Sequence, residues 1–171
     1  MIPIHPSGLS APDPFLIAHG KLAALQRLWQ KRRGERRVPS RGDFSFEDLG
    51  PWMGNLGILE VEPAPLRFRF RLYGTRLVDF DDCDFTGRYL DDVLTVEWRQ
   101  RVIAHYRRCA EEARPVYTIG ASGRKDWLTI HRLLLPCSTD GSSVDRIIVG
   151  LYPENPGRQS GWPSGRPGRS V

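Results

Sequence analysis

Arg67-Phe68-Arg69-Phe70-Arg71-Leu72 alternates a basic and an apolar residue without a break. A period of two marks a strand with one buried and one solvated face, so Phe68, Phe70 and Leu72 are expected inside and the three arginines outside. Pro63-Ala64-Pro65 just upstream is a turn, and residues 55–62 before it read as a second strand, which completes a hairpin. Downstream, residues 74–94 lose the period and carry Asp79, Asp81, Asp82, Asp84, Asp91 and Asp92, a broken helical region with an acidic face. Thr95 can cap a long helix with Glu97 in its first turn; Trp98, Val102, Tyr106, Cys109 and Ala113 form its stripe, and Pro115 ends it. Three more strands follow: Val116–Ala121, Trp127–Pro136 and Val144–Tyr152. Their connections, Ser122 to Asp126 and Thr139 to Ser142, have hairpin-turn composition.

Upstream of the hairpin, Asp13 suits a cap and Pro14 the first helical position. Phe15, Ala18, Leu22, Leu25 and Trp29 recur at helical spacing, and Gly34 can end that helix with a positive φ. Val38 to Asp43 reads as a loop and residues 45–49 as one helical turn. The expected organisation is a flexible start over 1–12, an amphipathic N-terminal helix over 13–37, a domain over 38–153, and a disordered Pro/Gly/Ser/Arg tail over 154–171. That tail has too few apolar residues to offset its ordering entropy. Two strands, a helical crossover and a three-strand meander predict an α+β fold, a five-stranded antiparallel sheet with helices on one face.

Composition narrows the class. A chain of 171 residues, 40% hydrophobic and 26% charged, has room for one soluble domain and one core. Cys83, Cys109 and Cys137 are too few and too scattered for a disulfide framework. No apolar run nears the roughly 20 residues of a membrane helix, and Met1 to Pro6 does not resemble a secretory signal, so a cytoplasmic address and no membrane contact are expected. The net charge of +5 is uneven. Residues 1–42 hold eight basic and two acidic residues, whereas residues 43–152 hold fourteen and seventeen. The basic character sits at the ends, around Lys31-Arg32-Arg33, Arg36-Arg37 and Arg41, and in the Arg-rich tail. Nucleic-acid binding through these groups is therefore an alternative function, set against a merely solvated helix end.

The element order is that of the PAS fold, and the chain resembles a family of small single-domain bacterial PAS-like proteins of the alphaproteobacterial type. The matching pieces span about Leu22 to Gly150: Leu28-Trp29, Pro39-Ser40-Arg41-Gly42-Asp43, Asp48-Leu49, Phe68 to Thr75, Phe85 to Leu90, Tyr106 and Arg114-Pro115. The resemblance implies a PAS fold with sensory or interaction roles. It fixes no ligand.

Each chemistry that fold supports can be tested on the residues. Flavin photoreceptors of similar fold carry Gly-Arg-Asn-Cys; here Gly87-Arg88-Tyr89-Leu90 puts leucine at the thiol position, so adduct chemistry is not expected and non-covalent flavin stays open. Haem-binding relatives place a histidine on the long helix, where this chain has His105, a weak signal standing alone. The acidic patch lacks the spacing of a cation loop, and no metal is expected. No nucleophile elbow, phosphate loop or paired histidines occur, and a non-enzyme is expected.

What remains is the space between sheet and helices. Its candidate lining is Phe68, Phe70, Leu72, Tyr89, Val93, Trp98, Val102, His105, Tyr106, Tyr117, His131 and Leu133, aromatic walls with a few polar tips. A filled core with satisfied tips is the equal alternative. Leu22, Leu25 and Trp29 form a stripe that can pair with a second copy or cover the chain's own sheet. The expected function is a sensory module that binds a small molecule, a signalling protein partner, or both, and acts as a homodimer.

Overall fold

The computed structural model describes residues 17–122, 125 and 127–155. The hairpin forms as its alternation requires, with one interruption. Strands β1 (Leu56–Pro63) and β2 (Leu66–Tyr73) pair antiparallel about a turn containing a cis Ala64–Pro65 peptide. Val61 lies opposite Phe68 and Leu59 opposite Phe70, but Ile58 lies opposite Leu72, which leaves Arg71 as an extra residue in β2. A bulge reverses the alternation beyond it. Tyr73 therefore joins Phe68 and Phe70 on the core face, and Leu72, expected beside them, turns to the other side.

Strands β3 (Val116–Ala121), β4 (Thr129–Cys137) and β5 (Arg146–Glu154) form the meander, and the sheet runs β2-β1-β5-β4-β3, antiparallel throughout. Strands β1, β4 and β5 are displaced by one or two residues from expectation, and two of the shifts matter. Trp127 lies outside β4 in the turn, with 62% of its surface exposed. Glu154 is the last residue of β5, placed there by pairing with Thr129, and does not open the tail. The rest of the tail from 156 and the expected flexible start lie outside the described residues.

Both faces of the sheet are covered. Helix α1 (Gly20–Arg33) crosses one face, where Leu22, Leu25 and Trp29 are buried with Leu133, Leu135 and Ile148. Gly150 makes the close approach possible, since a Cβ there would sit 2.5 Å from Leu22 Cδ2. Trp29 Nε1 donates to the Pro136 carbonyl at 2.8 Å. The helix is shorter than expected: His19 is its N-cap, without a side-chain cap, and Ala18 precedes it. Asp13, Pro14 and Phe15 lie outside the described residues. Its end is at Gly34, with φ 58°, where glycine is favoured. The next turn, α2 (Phe46–Leu49), is capped by Ser45 and Asp48 reciprocally.

The opposite face carries α3 (Thr75–Asp81), α4 (Leu90–Val93) and the long α5 (Val96–Glu112). Val102, Tyr106 and Cys109 of α5 are buried with Phe68, Leu134 and Val149. This helix stops at Ala113, φ 50°, two residues before the proline expected to end it, and Thr95 starts it without a side-chain cap.

Candidate functional site

Between the sheet and α3–α5 the packing is incomplete, and a cavity of about 650 Å³ remains. Phe70, Tyr73, Leu151 and Pro153 line its sheet side, Leu77 and Phe85 one end, and Val93, Leu94, Trp98 and Val102 its helical side. A mainly apolar cavity of this size has the dimensions of a small-molecule site.

The polar groups fall mainly on one wall. Arg132 of β4 pairs in register with Thr118 and Leu151 and so shares their face of the sheet, toward α5. Its guanidinium bonds the hydroxyl of the fully buried Tyr106, whose proton is nonetheless held by desolvation, with a pKa pushed up to about 12. His105 lies beside it on α5, its proton affinity lowered by burial first and then by Arg132, Arg101 and Arg108. Arg101 stands 5.3 Å above the Trp98 ring. On the other side, Asp81 of α3 accepts a hydrogen bond from the Tyr73 hydroxyl.

Seven of the twelve residues expected to line this space border it: Phe70, Val93, Trp98, Val102, His105, Tyr106 and Tyr117, although Tyr117, opposite Leu133 in register, turns its ring to the α1 face. Phe68 is buried core against Tyr106, ring centroids 5.6 Å apart, and does not reach the cavity. Leu72 is turned away by the bulge. Tyr89 is held outside, because residues 87–89 pair along the free edge of β2. Its ring lies 3.7 Å under the Arg67 guanidinium and its hydroxyl donates to Glu62. Leu133 and His131 sit on the α1 face. Tyr73, Leu77, Phe85, Arg101 and Arg132 were not anticipated. An arginine between Ile130 and the apolar run from Leu133 to Leu135 was the available signal for Arg132.

His131 belongs to a different cluster. Its Nδ1 meets the Tyr117 hydroxyl at 2.7 Å and its Nε2 meets Glu154 at 2.7 Å. His19 packs over Tyr152 at 4.3 Å and lies 5.3 Å from the His131 ring. This cluster ties the start of α1 to the sheet.

The stripe offered for dimerisation is occupied within the chain itself: Leu22 and Leu25 are fully buried and Trp29 is 3% exposed. The basic groups near it are partly paired, Arg32 with Asp48 at 2.6 Å and Arg36 with Asp43 at 2.7 Å. Among the acidic patch, Asp91 and Asp92 meet Arg67, and Asp84 caps Thr86; no cluster among the described residues could hold a metal ion. No helix among them is long and apolar enough to cross a membrane.

A family model described as a PAS domain matches residues 17–152, most of the chain. The chain belongs to the PAS-domain family. Among solved structures, a domain of an HTR-like protein from Haloarcula marismortui ATCC 43049 is similar, with a TM-score of 0.44 and 14% identity over 58% of this chain and 97% of that one. No curated protein matches. As a PAS domain, the chain falls among sensory and signalling modules.

Proposed function

We propose that this PAS domain is a small-molecule sensor whose ligand occupies the cavity between the sheet and α3–α5, acting by binding and not by turnover. The cavity itself carries the reading: about 650 Å³ lined mainly by apolar side chains, in a fold whose other sheet face is sealed by α1. Occupancy would set the position of α5 against β4 and pass the signal to a protein partner or a second copy. A homodimer would use surfaces other than Leu22, Leu25 and Trp29, which are buried.

Titration with the neutral fluorophore N-phenyl-1-naphthylamine tests this. Enhanced emission with a stoichiometry of one is expected, and Thr118→Trp, which fills the cavity from its β3 wall, abolishes it without lowering the melting temperature. No enhancement, or enhancement indifferent to Thr118→Trp, would overturn the reading.

One observation favours a second reading. His105 borders the cavity, and its surroundings favour the neutral ring that ligates haem iron. A Soret band on adding hemin, lost in His105→Ala, would support it.

A further inference from the structure

The geometry points to an anionic ligand: a small carboxylic acid on an apolar body of aromatic dimensions, its carboxylate anchored by Arg132. This rests on the reading of the cavity as a ligand site and specifies what that site takes.

Arg132 is unlike the other sheet arginines. Arg67 meets Asp91 at 2.7 Å, Arg69 meets Glu62 at 3.6 Å, Arg71 meets Glu60 at 3.0 Å and Arg146 meets Glu60 at 3.5 Å. Each of those is balanced by an acid. Arg132 is turned inward between Ile130 and Leu134, and no carboxylate among the described residues pairs with it. Its Nε is shielded from solvent and has no acceptor, as is also true of Arg69, but Arg69 has the Glu62 carboxylate 3.6 Å away. A guanidinium held at an apolar cavity is costly unless its donors are matched.

The same wall repeats the pattern. His105 Nδ1 is also shielded and without a partner. Arg101, one turn earlier on α5, lines the cavity too. The single carboxylate among the described lining residues, Asp81, belongs to α3 and accepts the Tyr73 hydroxyl. Two arginines and a histidine therefore face the cavity from β4 and α5. The planar guanidinium fork fits a carboxylate through two parallel hydrogen bonds. The remaining lining is mainly apolar, from Phe70, Leu90, Val102 and their neighbours, with hydroxyls such as those of Thr95 and Thr118 but no further cation among the described residues, which suits a body of rings or alkyl carbons with one charged head.

Isothermal titration calorimetry on the full chain with 2-naphthoic acid and 2-naphthamide separates charge from shape, since the two differ only in the head. The acid is expected to bind at least about tenfold tighter, the range of a charge-assisted hydrogen bond over a neutral one. Arg132→Gln should erase that preference while leaving the amide within about threefold, and Arg132→Lys should retain part of it. Arg107→Gln, an equal loss of charge at an exposed position of α5, should leave the preference intact. Equal binding of acid and amide by the native protein, or a preference that survives Arg132→Gln, overturns the inference and leaves the cavity reading standing if N-phenyl-1-naphthylamine still binds. Failure of all three compounds sinks both. A melting curve for each variant shows that it is folded.

Discussion

Gly150 and Leu22 touch where α1 meets the sheet: a Cβ on the glycine would lie 2.5 Å from Leu22 Cδ2 and 3.2 Å from Leu25 Cδ2. Both leucines are fully buried, so neither has space to retreat. Gly150→Ala is expected to destabilise the fold by about 1–3 kcal/mol through overpacking. Urea denaturation measures it, and an unchanged midpoint would mean that α1 is not seated as described. Pairing the change with Leu22→Ala, which vacates the space, should cost less than the sum of the two single changes.

Trp29 fixes the other end of the same contact. Its indole donates to the Pro136 carbonyl in a buried setting, 107 residues away in sequence. Trp29→Phe keeps a ring but leaves that carbonyl without its donor, and about 1–3 kcal/mol should be lost. Amide exchange would locate the effect, with protection lowered in α1 and along β4 and unaltered in β2.

These contacts explain why the sheet was easy to read and the site was harder. Alternation in β2, the α5 stripe and the turn compositions each follow from local chemistry, and all five strands appear near their expected places. The face of each residue is a longer-range property. Leu133, Leu134 and Leu135 are all fully buried because α1 covers one side of β4 and α5 the other, so burial in β4 does not say which side holds the cavity. His131 and Leu133 therefore lie on the α1 side, where alternation alone could not assign them. Leu72 departs from the alternation for a different reason: the extra residue at Arg71 shifts the period, and nothing in an unbroken Arg-apolar repeat marks where a bulge falls. Tyr89 depends on a pairing with the edge of β2 that only the fold creates.

The corrected assignment predicts a pattern of probe binding. Trp98→Ala should weaken N-phenyl-1-naphthylamine by about tenfold, the loss of one aromatic wall. Leu72→Ala and Tyr89→Ala should leave its affinity unchanged, because neither side chain lines the cavity. Fluorescence titration of the three variants decides between this lining and the one expected from alternation alone.

Acid sensitivity should appear in two separate ranges. His19 and His105 both hold a proton less readily than the usual 6.5: burial is the main cause in each, with His131 next for His19 and Arg132, Arg101 and Arg108 for His105. Unfolding restores the usual affinity, so between the lowered native values and 6.5 the unfolded chain binds more protons than the native one. Stability is then full above 6.5 and falls as the pH drops below it. Asp48 is displaced downward from 3.8 by the Ser45 amide and then by Arg32, so its contribution is present above 3.8 and is lost only as the pH falls through its lower native value. Urea midpoints taken from pH 7.5 downward in about half-unit steps should show the histidine decline first. A His19→Gln, His105→Gln double variant should flatten that upper decline and leave the carboxylate range in place; a decline that persists in the double variant would assign it to other groups.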